Sequence, residues 1–241
     1  MTKVKRTVVV TGGNRGIGKA IALGFAQNGD NVIIIGREKE TIAEVAAMSD
    51  NIIGFSGDVS KFEEMNLIFA KIKEQFGNVD VLINNAGINT RNDYSTTNFD
   101  LWTEEIGVNL TGAFICSQLV INEMVEQKYG VIIMIASVKA FEGSRSLSYG
   151  ASKAGLVSLA KSYARSVSKF GVRVNSVCPS MVETDMAKLW SEDDKKKYLK
   201  SLAINRFSKP EEIASFVKYL CSDEASFITG TNLFIDGGYF V

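Results

Sequence analysis

The run Thr7-Val8-Val9-Val10-Thr11 passes without a break into Gly12-Gly13-Asn14-Arg15-Gly16-Ile17-Gly18, and an apolar-periodic stretch, Ile17 to Asn28, follows. A row of β-branched residues has stiff χ1 angles and favours a strand buried on both faces of a parallel sheet. Glycines allow a tight turn and remove the Cβ atoms that would keep another group off the backbone. Strand, glycine turn and helix, in that order, aim backbone N–H groups and the positive end of a helix at a pyrophosphate. The spacing is Gly-x-x-x-Gly-x-Gly, and no Gly-Lys-Ser/Thr closes the turn, so it is not a P-loop.

Strand-like runs at Thr7–Thr11, Asn31–Ile35, Ile52–Ser56, Val79–Asn84, Val131–Ile135, Arg173–Cys178 and Asn232–Ile235 alternate with helical patterns. That alternation predicts an α/β fold, a Rossmann-type doubly wound parallel sheet covered by helices on both faces. With right-handed crossovers the strand order becomes 3-2-1-4-5-6, and a seventh strand adds at the far edge. At 241 residues, with two prolines and no Pro/Ser-rich linker, the chain reads as one domain over 1–241. The one shift in composition is 181–209, with the charged run Ser191-Glu192-Asp193-Asp194-Lys195-Lys196-Lys197. A solvated helix face accounts for the run, and its place after the sixth strand suits a mobile substrate lid.

Tyr149-Gly150-Ala151-Ser152-Lys153 bears on chemistry. Residues four apart on a helix share a face, with Cβ atoms roughly 5–6 Å apart. A lysine that stays cationic beside a phenol favours the phenolate and lowers the phenol's pKa. The chain contains no histidine, which removes Ser-His-Asp hydrolases, Cys-His proteases and His-ligated zinc sites from consideration. Lys+Arg and Asp+Glu balance at 27 each, so no basic excess points to nucleic acid or a membrane surface. Cys116, Cys178 and Cys221 are widely spaced and odd in number, which argues against a disulfide framework or a metal cluster. No signal-like apolar segment precedes the first strand and no run of 18 apolar residues occurs elsewhere, so a cytoplasmic protein is expected.

Taken together, these motifs resemble the classical short-chain dehydrogenase/reductase family, and the resemblance spans essentially the whole chain. Asn84-Asn85-Ala86-Gly87 after the fourth strand, Asn109 in a long helix, Ser137 after the fifth strand and Pro179 after the sixth match in the expected order. The resemblance implies an oxidoreductase in which Tyr149 exchanges a proton with a carbonyl or alcohol oxygen. Lys153 would tune that phenol and hold the nicotinamide ribose, and Ser137 would bind the substrate oxygen. Asn109 would hold a water in a proton relay. Gly12, Asn14, Arg15, Gly16, Ile17 and Gly18 would cradle the phosphates, and Asp58 with Val59 would contact the adenine. Asn85, Ala86 and Gly87 would pass beneath the ribose. Pro179, Val182 and Thr184 would meet the nicotinamide.

The end of the second strand bears on cofactor choice. An NAD-type site places Asp or Glu there for the ribose 2′-hydroxyl; this chain has Gly36, then Arg37, with Arg15 as a second cation in the glycine turn. Guanidinium groups bind a 2′-phosphate through paired hydrogen bonds, so NADP(H) is the expected cofactor. The expected reaction is reduction of a small-molecule ketone, free or carrier-bound, similar to that of 3-oxoacyl-[acyl-carrier-protein] reductases. A sugar, polyol or specialised-metabolite dehydrogenase is the alternative enzyme, and an NADP(H)-sensing regulator the alternative of another class. Two departures from the family pattern fall on the substrate side: the short interval between Ser137 and Tyr149, and Pro179-Ser180 where Pro-Gly is common. By resemblance the chain forms a homotetramer, and its apolar 227–241 segment with an exposed sheet edge points the same way. No metal is expected.

Overall fold

The computed structural model describes residues 5–188 and 190–241, with the Lys188 side chain left aside. Seven strands form one parallel sheet: β1 (Thr7–Thr11), β2 (Asn31–Gly36), β3 (Ile52–Ser56), β4 (Val81–Asn84), β5 (Gly130–Ile135), β6 (Val172–Pro179) and β7 (Asn232–Ile235). Their order is β3-β2-β1-β4-β5-β6-β7, as the crossover rule requires. Every pairing is parallel. β1, β4 and β5 are buried along their whole length, which is why they read as continuous apolar runs rather than alternating ones.

The helices are α1 (Gly16–Gln27), α2 (Lys39–Ala46), α3 (Phe62–Phe76), α4 (Phe99–Ile106), α5 (Gly112–Glu126), α6 (Lys139–Glu142), α7 (Leu147–Val167), α8 (Asp185–Lys188), α9 (Glu192–Leu199) and α10 (Pro210–Leu220). Two apolar clusters fill the layers. One packs α3, α5 and α7 on one face of the sheet, around Leu82, Ile132 and Val174. The other packs α1 and α10 on the opposite face, around Val10, Ile34 and Ile133.

Several boundaries differ from the sequence expectation, β2 and β5 by a single residue, ending at Gly36 and beginning at Gly130. β4 begins at Val81 rather than Val79, because the backbone N–H groups of Asp80 and Val131 are already bonded to Thr7 and Asp80 carbonyls in the entry turn. β6 is longer by one residue at each end and includes Pro179, whose carbonyl accepts the Val138 N–H at 3.1 Å. The long helix that carries Asn109 is interrupted: residues Gly107–Thr111 form a π-helical turn between α4 and α5. Such turns insert one extra residue per turn and re-aim the side chains on them.

The composite helix Phe99–Glu126 is long and apolar enough to cross a membrane by length and composition, and 56% of its apolar window is buried inside the protein. It is a core helix of this sheet.

Candidate active site

The carboxyl ends of β1, β4, β5 and β6 lie side by side, and each releases its chain into a loop that carries site residues. At β1 the turn needs its glycines. Gly12 and Gly16 hold φ of 63° and 51°, a region costly for residues with a Cβ. A Cβ on Gly18 would stand 2.2 Å from the Gly12 carbonyl oxygen. Arg15 precedes α1 in an extended conformation and is exposed, while Ile17 and Lys19 follow in the first helical turn.

Asn14 leaves the turn to reach β2. Its Nδ2 donates to Thr41 Oγ1 at 2.7 Å, and a Cβ on Gly36 would meet Asn14 Oδ1 at 2.7 Å. Gly36 is therefore required by its neighbour, and a carboxylate side chain cannot be placed there without moving Asn14. Arg37 follows, exposed, with its carbonyl accepting the Ser56 hydroxyl at 3.1 Å. Asp58 turns inward on its own loop: Oδ1 accepts from Ser60 N at 2.9 Å and Ser60 Oγ at 2.8 Å. Val59 beside it is buried against Gly112.

After β4, Asn85 Nδ2 donates to the carbonyls of Thr11 (2.9 Å) and Gly12 (3.1 Å), and the Thr11 hydroxyl accepts from both Asn85 N and Ala86 N at 3.0 Å. Thr11 is thus the hub that fixes the glycine turn to β4, a role no local pattern announces. Gly87 lies where a Cβ would sit 3.3 Å from Asn109 Oδ1 and 3.5 Å from Lys153 Nζ; its lack of a side chain keeps open the strip between them. Asn109 is fully buried. Its amide clamps Ile88 in both directions, Oδ1 accepting Ile88 N at 2.8 Å and Nδ2 donating to Ile88 O at 2.9 Å, and Nδ2 also donates to Ser152 Oγ at 3.0 Å. The π turn gives Asn109 this reach.

Tyr149 and Lys153 share a face of α7, with the ammonium 5.6 Å from the phenol ring centre. Lys153 Nζ, nearly inaccessible, donates to the Ile135 carbonyl at 2.8 Å. Burial pushes the ammonium down to about 8, against the opposing pull of Cys178 and Glu105. Burial also pushes the Tyr149 phenol above its ordinary value; the Ser137 hydroxyl, facing the phenol, pulls it back, and Glu105 adds to the rise. This reverses the direction expected from the adjacent cation, because desolvation of a phenolate outweighs a charge whose hydrogen bond is directed elsewhere. Ser137 Oγ also accepts the Lys139 N–H at 3.2 Å.

Beyond β6, Val182 is buried and pairs with Ser208 in an isolated bridge. Thr184 stands over the glycine turn, where a Cβ on Gly16 would approach its Cγ2 to 3.2 Å. The Ser191–Lys197 run forms most of the exposed α9, capped by Ser191 Oγ on Asp194 N at 3.1 Å. Tyr198 on that helix stacks on Tyr239 at 5.2 Å, with Lys139 Nζ over both rings, and Glu142 accepts the Tyr239 hydroxyl. Local sequence pattern assigned none of these residues, nor Glu105, an individual role. Only the spacing of Glu105 to Asn109, four residues on one apolar helix, offered a signal.

The glycine-edged cradle from Gly12 to Gly87 and the Thr184 cap leave room for a dinucleotide along this sheet edge, and its nicotinamide, when bound, would supply the hydride. The family described as "Enoyl-(Acyl carrier protein) reductase", a group of short-chain dehydrogenases, matches residues 12–240. This chain belongs to the short-chain dehydrogenase/reductase family. The 3-oxoacyl-[acyl-carrier-protein] reductase FabG of Aquifex aeolicus (strain VF5) is 38% identical over 238 residues, 96% of each chain. The meso-2,3-butanediol dehydrogenase of Serratia marcescens is 34% identical over 97% of this chain and 94% of its own. The crystal structure of gox2181 superposes with a TM-score of 0.94 at 30% identity, over 98% of this chain and 96% of that one. As a short-chain dehydrogenase/reductase, the protein is an NAD(P)-dependent oxidoreductase acting on CH–OH and C=O groups. Among the described residues, no group of three or more His, Cys, Asp or Glu side chains is placed to hold a metal ion.

Proposed function

We propose that the protein is an NADPH-dependent reductase that converts a ketone into a secondary alcohol. The observation that carries this reading is the meeting of the Tyr149 phenol and the Ser137 hydroxyl beside buried Lys153. Ser137 orients the carbonyl oxygen and stabilises the charge that develops on it. Tyr149, kept protonated by its burial, gives that oxygen its proton. Lys153 holds the nicotinamide ribose, and Asn109, in contact with Ile88 and Ser152, keeps the solvent side of the relay in place. Arg15 and Arg37 bind the 2′-phosphate, supported by the exclusion of a side chain from Gly36. Gly12, Gly16 and Gly18 with Asn14 and Ile17 cradle the pyrophosphate. Asp58 and Val59 border the adenine, and Pro179, Val182 and Thr184 the nicotinamide.

The substrate enters beneath residues 181–209, which act as a lid on the single 1–241 domain. The FabG relative supports a 3-oxoacyl thioester, free or carrier-bound. A second reading, a small diol or polyol dehydrogenase, is favoured by the Lys139, Glu142, Tyr198 and Tyr239 cluster beside Ser137, which is more polar than an acyl channel. The set Asn109, Ser137, Tyr149 and Lys153 supports turnover over mere NADP(H) sensing. A homotetramer in the cytoplasm completes the reading, supported by exposed Phe114, Phe227 and Phe234. NADPH oxidation across a panel of 3-oxoacyl thioesters, diketones and sugar ketones tests it. Turnover is expected on at least one ketone; nucleotide binding with no turnover on any would replace the enzyme by the sensor.

A further inference from the structure

Glu105 is a fully buried carboxylate that no step above uses. Its partners are all donors. Oε1 accepts the Thr90 N–H at 2.6 Å, and Oε2 accepts the hydroxyl of Ser146 at 3.2 Å and that of Ser148. An acceptor-only carboxylate, in its ionised form, satisfies all three at once. Ser146 and Ser148 flank the start of α7, a 21-residue helix whose N-terminus carries partial positive charge and favours an anion there. The partners also come from separate parts of the chain: Thr90 from the loop after β4, the serines from the entrance to α7, and Glu105 from α4.

We propose that Glu105 is a positioning residue for the Tyr149–Lys153 pair. It pins Ser148, the residue immediately before the phenol, to the loop after β4, and it brings a carboxylate to the end of α7 that carries the phenol. The inference rests on the reading of Tyr149 as the acid. The charge has a consistent sense: it raises the Tyr149 phenol, which keeps the donor protonated, and it raises the Lys153 ammonium against the fall caused by burial. The other groups acting on the pair are Ser137 after β5 and Cys178 on β6, and the phenol in turn acts on Tyr198 of α9; Glu105 is hydrogen-bonded to none of the three.

The test is titration of Tyr149 in the protein without added nucleotide, by NMR of tyrosine labelled at the ring carbon bearing the hydroxyl. Tyr149→Phe assigns the resonance. Glu105→Gln keeps the shape and removes the charge, so the Tyr149 midpoint is expected to fall by about half a unit or more. Ser148→Ala, which removes one hydrogen bond and keeps the charge, is expected to leave the midpoint within half that shift while lowering kcat more than it changes KM for NADPH. Should Glu105→Gln not fold, Glu105→Leu combined with Ser146→Ala and Ser148→Ala removes the carboxylate with both hydroxyls and leaves only the Thr90 N–H without its acceptor, a cost of about 1–3 kcal/mol, and the same fall is expected. A Tyr149 midpoint that is unchanged or higher in the neutral variant overturns the proposal. A failure to find any ketone substrate would overturn the functional reading and leave this titration standing.

Discussion

The ammonium of Lys153 lies 5.6 Å from the centre of the Tyr149 ring, yet its hydrogen bond goes to the Ile135 carbonyl at 2.8 Å. The pair is thereby held side by side, the ammonium buried and anchored to the sheet through that carbonyl and the half-buried phenol facing Ser137, rather than as a directly bonded couple. Burial raises the phenol and lowers the ammonium, and several outcomes can be measured from that arrangement.

Tyr149→Phe keeps the ring and deletes the transferable proton. Turnover on the best ketone should fall by about 10²–10⁴-fold, the usual contribution of general acid–base catalysis, while NADPH affinity by fluorescence titration stays within about twofold. Retention of a tenth of wild-type turnover would remove tyrosine from the role of acid.

Lys153 bears on stability through its pH dependence. Its folded pKa of about 8 lies below the ordinary 10.5, so the folded state binds the proton more weakly than the unfolded chain. The cost of the buried cation is full below pH 8 and is relieved as pH rises from 8 toward 10.5. At neutral pH the cost is about 3 kcal/mol, partly offset in any variant by the orphaned Ile135 carbonyl. Denaturant unfolding should therefore show Lys153→Met more stable than wild type relative to its standing at pH 10. A stability difference that does not change between pH 7 and pH 10 contradicts the assignment.

Arg37→Asp replaces a cation with a group that repels the 2′-phosphate. Loss of a charge-assisted hydrogen bond costs about 1.5–3 kcal/mol, so NADPH should bind about tenfold to a hundredfold more weakly and NADH no worse than before. Wild-type protein that binds NADH as tightly as NADPH would overturn the choice of cofactor.

Gly18→Ala puts a methyl group 2.2 Å from the Gly12 carbonyl oxygen, and that atom belongs to backbone which cannot swing away. Overpacking of this kind costs about 1–3 kcal/mol. Thermal unfolding should shift down, and nucleotide binding should be lost before folding is, since the turn is displaced first.

Light scattering at micromolar concentration should give about four times the 26.3 kDa chain mass. A groove between α7 and the π turn with α5, lined by Leu110, Phe114, Gly155 and Leu159, would supply the apolar face, and Phe114→Glu should dissociate the assembly. A monomer in the wild type would sink the tetramer.

The layered fold and its strand order were legible in the sequence because they rest on short-range causes. β-Branched runs, the glycine turn and helical periodicity act within a dozen residues, and the handedness of crossovers then leaves one order for the strands. The positions of Gly12, Ser137, Tyr149 and Lys153 were legible for the same reason, each standing at a strand end or on one helix face. Tertiary structure alone decided the rest. Thr11 became a hub, and Gly36 had to lack a side chain, only because Asn85 and Asn14 fold onto them. Asn109 clamps Ile88 only because a π turn re-aims it. Glu105 gains its three donors only when the fold brings Thr90, Ser146 and Ser148 around it. The direction of the Tyr149 shift could not be read locally either, because desolvation depends on what distant chain covers a group. A residue's neighbours along the chain set its backbone; its neighbours in space set its charge.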